Sequence, residues 1–255
     1  MHTLCLPFLT LLLLLVNTGA QAIVLVNTGA QAIVLVAAEL PPYVIQSSHG
    51  KPSGVGIEIM EEAARRLGEP LTIELMPLPR ALTQTIHRPD VLMIPPVRSS
   101  QREHLYQWVT PILDEQFLIV SDRRFHPKAL KSSDLKNLDV GVLRYSFGQH
   151  LLKQRIGIRG ETVADEQLNA HKLHRGRIDA WVAAWNVILY AQQQDKRSSL
   201  QLVRGEVLMN TQLFLAAHKD FPFKQAQRWQ AVIDEMRRDG SLTRIIRQYN
   251  YQVPE

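Results

Sequence analysis

The sequence predicts an α/β fold, and three observations lead there. Short apolar runs rich in β-branched residues recur at residues 33–37, 71–76, 91–94 and 140–143, each long enough for one buried strand. Helical patterns stand between them. Ile57, Met60, Ala64 and Leu67 share one helical face, and Gly68 ends it. The composition, 45 % hydrophobic and 21 % charged, belongs to a folded globular chain rather than a disordered one, and 255 residues allow one or two domains.

The chain opens with an apolar stretch, residues 4–16, that includes five consecutive leucines. It is short for a bilayer span and has the length of a signal-peptide core. Ala20-Gln21-Ala22 fits an A-x-A cleavage pattern. A ten-residue segment, VNTGAQAIVL, then appears twice in succession at 16–25 and 26–35, so Ala30-Gln31-Ala32 offers a second cleavage pattern. Residues 1–32 are therefore expected to be a signal peptide, cut after residue 22 or 32. Cys5 is the only cysteine and lies in this leader. Disulfides and thiolate chemistry are not expected in the mature chain.

The first strand, 33–37, runs into Glu39-Leu40-Pro41-Pro42-Tyr43. Tyr43 either lies over a ligand or packs at the domain edge. Gly54-Val55-Gly56-Ile57-Glu58 leads into the first helix; it lacks the third glycine of a dinucleotide fingerprint. Leu71–Met76 is the second strand. Pro77-Leu78-Pro79-Arg80-Ala81-Leu82 opens the next helix. An arginine near a helix N-terminus is disfavoured unless it meets an anion, so Arg80 is a candidate contact or a surface ion pair.

Val91–Ile94 is a strand stopped by Pro95 and Pro96, because proline cannot donate to a ladder. The loop after it carries Arg98, Ser99, Ser100 and Arg102, and an aromatic segment, Tyr106 to Pro111, follows. Arginine presents a planar fork matched to a carboxylate, and a neighbouring hydroxyl adds a donor. Further strands are expected at 115–121 and 207–217, with helices at 165–174 and 221–238. Val140–Leu143 leads to Arg144-Tyr145-Ser146-Phe147-Gly148, a helix start where Ser146 either caps the helix or joins backbone N–H groups in holding an anion.

Several of these segments resemble family 3 extracellular solute-binding proteins. The strand ending in Ser99-Ser100-Gln101-Arg102, then Trp108-Val109-Thr110-Pro111, is similar to that family's carboxylate-binding loop. So are Pro41-Pro42-Tyr43, the helix start at Arg80, Gly176-Arg177-Ile178-Asp179-Ala180 and the C-terminal Asp239-Gly240-Ser241-Leu242. The resemblance implies two lobes, each a mixed sheet flanked by helices. Lobe one would be 33–120 plus 211–255, lobe two 121–210, with the ligand cleft at the hinge between them. It implies a ligand set of Arg102, Ser99, Arg98, Pro96, Tyr43, Arg80, Arg144, Tyr145 and Ser146, with Trp185 as an apolar or cation–π wall, or else core. It implies a monomeric periplasmic binding protein that hands a small carboxylated solute to an ABC-type transporter or a sensor.

One position departs from the family. Where amino-acid binders carry an acid for the substrate ammonium, this chain has Ala184, so simple α-amino acids are expected to bind poorly. No catalytic residue, metal site or cofactor is expected. The alternative is a dehydratase-like enzyme using Glu58 with His87 or His104, or a stand-alone sensory module. The net charge of +5 is scattered, which argues against nucleic acid and suits small anions.

Overall fold

The structure is a computed structural model and describes residues 32–47 and 50–254. Residues 1–31, which hold the apolar leader, the cleavage position after residue 22, the first copy of the duplicated segment and most of the second, lie outside the described residues; the end of the second copy, residues 33–35, begins the first strand. Eight strands make one sheet, in the order β2-β1-β3-β8-β4-β7-β5-β6. They are β1 (Ile33–Ala38), β2 (Leu71–Met76), β3 (Val91–Ile94), β4 (Tyr106–Asp122), β5 (Val140–Leu143), β6 (Glu161–Val163), β7 (Ala180–Ala184) and β8 (Leu202–His218). The helices are α1 (Val55–Leu67), α2 (Leu78–His87), α3 (Phe147–Leu151), α4 (Glu166–His174), α5 (Trp185–Gln194), α6 (Phe223–Arg238) and α7 (Ser241–Gln248).

The two-lobed α/β fold follows from the pairing. In the first lobe β1 runs parallel to β2 and β3, and β3 pairs antiparallel with the C-terminal end of β8. In the second, β5 runs parallel to β6 and β7, and β7 pairs antiparallel with the C-terminal half of β4. The two sheets are continuous because β4 and β8, each 17 residues long, pair with one another along almost their whole length. The lobe boundaries expected at 120/121 and 210/211 therefore fall inside unbroken strands. The aromatic segment at 106–111, which the sequence placed before a strand, is already β4. Pro111 is tolerated there because the register shifts on both sides of it, between Trp108 and Thr110 and between Pro111 and Leu113. A proline inside a strand needs such an irregularity.

Local chemistry fixes the elements around the cleft. Gly54, at φ 117°, lets α1 start beneath the Pro41–Tyr43 loop. A Cβ there would lie 2.5 Å from the Tyr43 carbonyl oxygen. The first α1 amides then donate to that loop, Val55 N to Pro42 O at 3.0 Å and Gly56 N to Tyr43 O at 2.9 Å. Unpaired helix amides are satisfied and Tyr43 is held in place by the same bonds. Gly68 closes α1 in the left-handed conformation, as the sequence predicts. Asp179 is structural. Its carboxylate accepts the Asp139 amide at 2.9 Å and lies 2.8 Å from the His126 ring.

Candidate functional site: the cleft between the lobes

Two adjoining cavities occupy the cleft. The inner one, about 30 Å³, has Arg102, Tyr43 and Pro96 on the first-lobe side and Ser146, Phe147 and Ala184 on the other. The outer one, about 650 Å³, includes Arg144 and Tyr145 in its wall. Leu40, Leu78, Leu143, Val187 and Glu166 border both, so the two form one space with a narrow floor.

Arg102 sits on a turn between β3 and β4. Its amide donates to Ser99 O at 2.9 Å, and Leu105 N donates back to Arg102 O at 3.0 Å. The base of the loop is stitched to β8, where Phe214 N donates to Pro96 O at 2.9 Å and Val97 bridges Leu213. The Arg102 side chain is partly buried on the cavity floor. Among the described residues its guanidinium has no hydrogen-bond or ion-pair partner, and burial pulls its pKa below the ordinary value. Burying a cation without a partner is costly, and the cost is recovered when an anion arrives. Its field reaches His150, whose pKa is lowered by burial and then by Arg102.

The other sequence-predicted residues divide. Tyr43, Pro96 and Ser146 border the inner cavity and Arg144 and Tyr145 the outer one. Ser146 also caps α3, its Oγ accepting Gln149 N at 3.1 Å. Four do not reach the cleft wall. Ser99 contributes its carbonyl to the Arg102 turn. Arg98 is turned outward by a two-pronged pair with Glu103, at 2.8 and 2.5 Å, and lies over the rings of Trp108 and Phe214. Arg80 is exposed on the first turn of α2. Trp185 is buried as core: its Nε1 donates to Gln252 Oε1 at 2.7 Å, and Arg204 covers its ring at 4.4 Å. Glu58, His87 and His104 do not border the cleft either. Glu58 accepts the Tyr249 hydroxyl at 2.6 Å, and both histidines are exposed. Among the described residues no group of three His, Cys, Asp or Glu is placed to hold a metal ion.

Sequence reasoning missed Glu166. It opens α4 behind the cap Asp165, where an acid looks like an ordinary complement to the helix dipole. In the fold it is buried, at 8 % exposure, and its Oε2 accepts Asn169 Nδ2 and Trp181 Nε1, both at 2.8 Å. Burial raises its pKa to about 7 against the lowering effect of those two bonds. Only the tertiary pairing with Trp181 on β7 distinguishes it from a surface acid.

A second polar cluster, also missed, lies at the hinge. Glu115 on β4 is fully buried, and its Oε2 receives Tyr43 OH at 2.5 Å and Asn186 Nδ2 at 2.9 Å, with Tyr251 OH 3.0 Å away. Its Oε1 accepts Gln116 N at 2.8 Å. Gln252 N donates to Asn186 Oδ1 at 2.8 Å, and Asn186 Nδ2 lies 3.0 Å from Gln252 O. The C-terminal tail is thus tied to the hinge strand and to α5.

Known structures share this architecture. A histidine kinase sensor domain similar to periplasmic binding proteins superposes with TM-score 0.77 at 18 % identity, covering 86 % of this chain and 96 % of that one. An arginine-, lysine-, histidine-binding protein from Geobacillus stearothermophilus gives 0.75 at 14 %, covering 88 % and 97 %. An ancestral amino-acid-binding protein, precursor of cyclohexadienyl dehydratase, gives 0.75 at 15 %, covering 87 % and 95 %. At these identities the likeness concerns the fold. No curated protein sequence gives a significant match. The profile of one family runs over residues 32–252, nearly all of the described chain, and by that match the chain belongs to the bacterial extracellular solute-binding proteins, family 3.

Proposed function

We propose that the protein captures a small solute bearing a carboxylate, with Arg102 as the fork that receives it. Lobe one is taken as 33–120 and 211–255 and lobe two as 121–210, closing over the solute as hinged binding proteins do. Tyr43, Pro96, Ser146, Arg144 and Tyr145 complete the walls. The solute passes to an ABC-type transporter or a sensor partner outside the cytoplasm. One observation carries this reading. The Arg102 guanidinium sits on the cavity floor with no partner among the described residues, whereas Arg98 on the same loop is already paired.

The test is affinity beside melting temperature for Arg102→Ala, Arg102→Lys and Arg98→Ala, with a panel of amino, keto and dicarboxylic acids. Losing one side of a buried charged pair costs about 2–5 kcal/mol, roughly 30- to 5000-fold in Kd. Arg102→Lys recovers only part of that, since a point charge cannot reproduce the planar fork. Unliganded stability should hold or rise, because a desolvated lone cation is removed. If Arg102→Ala binds as wild type does, the anion site lies elsewhere.

A second reading is a dehydratase-like reaction in the same cleft. Glu166 favours it, since a carboxyl near neutrality is suited to general acid work. Product analysis after prolonged incubation with the same panel separates turnover from capture.

A further inference from the structure

We propose that Glu166 is the specificity-determining acceptor of the cleft, its Oε1 taking a hydrogen bond from an ammonium or guanidinium carried by the carboxylate solute. The proposal rests on the cleft reading above and adds the solute's second charge. Oε2 is occupied by Asn169 and Trp181, while Oε1 has no partner among the described residues. Glu166 borders both cavities, at the junction between floor and outer chamber. A carboxylate oxygen left open on a buried side chain that borders a cavity, its other oxygen satisfied, is the pattern expected where a ligand supplies the missing bond.

Position and charge point the same way. Arg102 comes from the first lobe and Glu166 from the second, so a solute with both charges spans the cleft and rewards its closure. The floor, at about 30 Å³, admits little beyond the carboxylate, and the rest of the solute must lie in the outer chamber. That chamber is bordered by Glu39, Asp165, Glu166 and Asp195 against one cation, Arg144. Asp195 is already paired with Arg197, at 2.9 Å, and His171, also at 2.9 Å, so the open acidic character comes from Glu39, Asp165 and Glu166. Ala184, the position from which amino-acid binding was expected to fail, borders the floor without a charge. Glu166 stands on a different element and supplies the carboxyl which that expectation did not include.

The groups facing Glu166 are Asn169 on its own helix, Trp181 on β7, Asp165 before it and Tyr43 across the cleft. None is a cation. A solute ammonium arriving at Oε1 therefore favours the ionised carboxyl, and the proton held by the empty site leaves to solvent.

Calorimetry at pH 7.5 on wild type, Glu166→Gln and Arg102→Ala decides the matter. The probes are L-arginine, L-glutamine and L-leucine, set against glutaramate and 4-methylpentanoate, which keep the carboxylate and carry no cation. The expected result is that wild type prefers at least one amino acid over the cation-free acids by tenfold or more. Glu166→Gln removes that preference, leaves the cation-free acids within about threefold, and melts no lower than wild type. The proposal is overturned if Glu166→Gln retains the preference, or if wild type shows none. Arg102→Ala reports separately on the cleft. If it weakens every probe while Glu166→Gln changes nothing, the cleft reading stands and the role of Glu166 falls. If wild type binds no probe, or Arg102→Ala binds them all unchanged, both fall.

Discussion

Two buried carboxyls, Glu115 and Glu166, can be set side by side. Both are raised in pKa by burial, and both accept bonds from neighbouring side chains. Glu115 is saturated, its two oxygens serving Tyr43, Asn186, Tyr251 and the Gln116 amide. Glu166 is half satisfied and borders the cavities. The same contrast separates two arginines on one loop, Arg98 being paired and Arg102 without a partner among the described residues. Burial alone does not mark a functional group, since a saturated one holds the fold together. On the proposed reading, an unsatisfied one at a cavity is kept despite its cost because a solute offsets it.

The comparison breaks first at Glu115. Replacing it with alanine removes an acceptor from four donors, the Tyr43 and Tyr251 hydroxyls, Asn186 Nδ2 and the Gln116 amide, where Glu166 serves two, and each buried orphan costs about 1–3 kcal/mol. Glu115→Ala should therefore lose about 3–5 kcal/mol in urea unfolding and melt roughly 10 °C lower. Glu166→Ala should lose less, because fewer donors are stranded. Equal losses would remove the distinction.

Acid–base behaviour sharpens it next. Glu166 moves from an ordinary value of 4.5 to about 7 in the folded state. The folded protein thus holds a proton between those values that the unfolded chain has released. Its contribution to stability is complete below about pH 4.5 and lost as pH rises through 7, roughly 3 kcal/mol in all. Glu166→Gln should gain on wild type across that window, matching it near pH 4 and exceeding it at pH 8. Glu115 is raised too, so part of the slope should survive in the variant. A slope unchanged by Glu166→Gln would mean that other groups set it.

The smallest effect is expected at Arg98. Its pair with Glu103 is about half exposed on both sides, so Arg98→Ala should cost less than about 1 kcal/mol and leave solute affinity unaltered. A loss of binding there would move the anion site along the loop.

The fold was legible because its signals are local. Short apolar runs, Gly68 as a stop, Ser146 as a cap and the proline pairs all act within a few residues. The place of Arg102, on a short loop between two strands, was legible for the same reason. Side-chain direction was not. Arg98 is claimed by Glu103, five residues on, and Trp185 by Gln252 and Arg204 from distant segments. Three-residue β6 carries too little pattern to be seen, and α5 begins directly at the end of β7 with no cap to announce it. Glu115 and Glu166 are defined by partners up to 136 residues away, a relation that no spacing encodes.

The long β4–β8 ribbon has a consequence for how the lobes move. Five consecutive pairs, from Leu113 opposite Leu213 to Phe117 opposite Met209, run without a register break, and shifts stand at either end. An antiparallel run of this kind resists sliding, while bulges bend and twist with less resistance. In amide exchange the ribbon should behave as a stiff axle, protected alike with and without solute. Exchange that slows on solute addition should fall instead at the Leu40, Tyr43 and Val44 amides, the Arg102 turn and the start of α4.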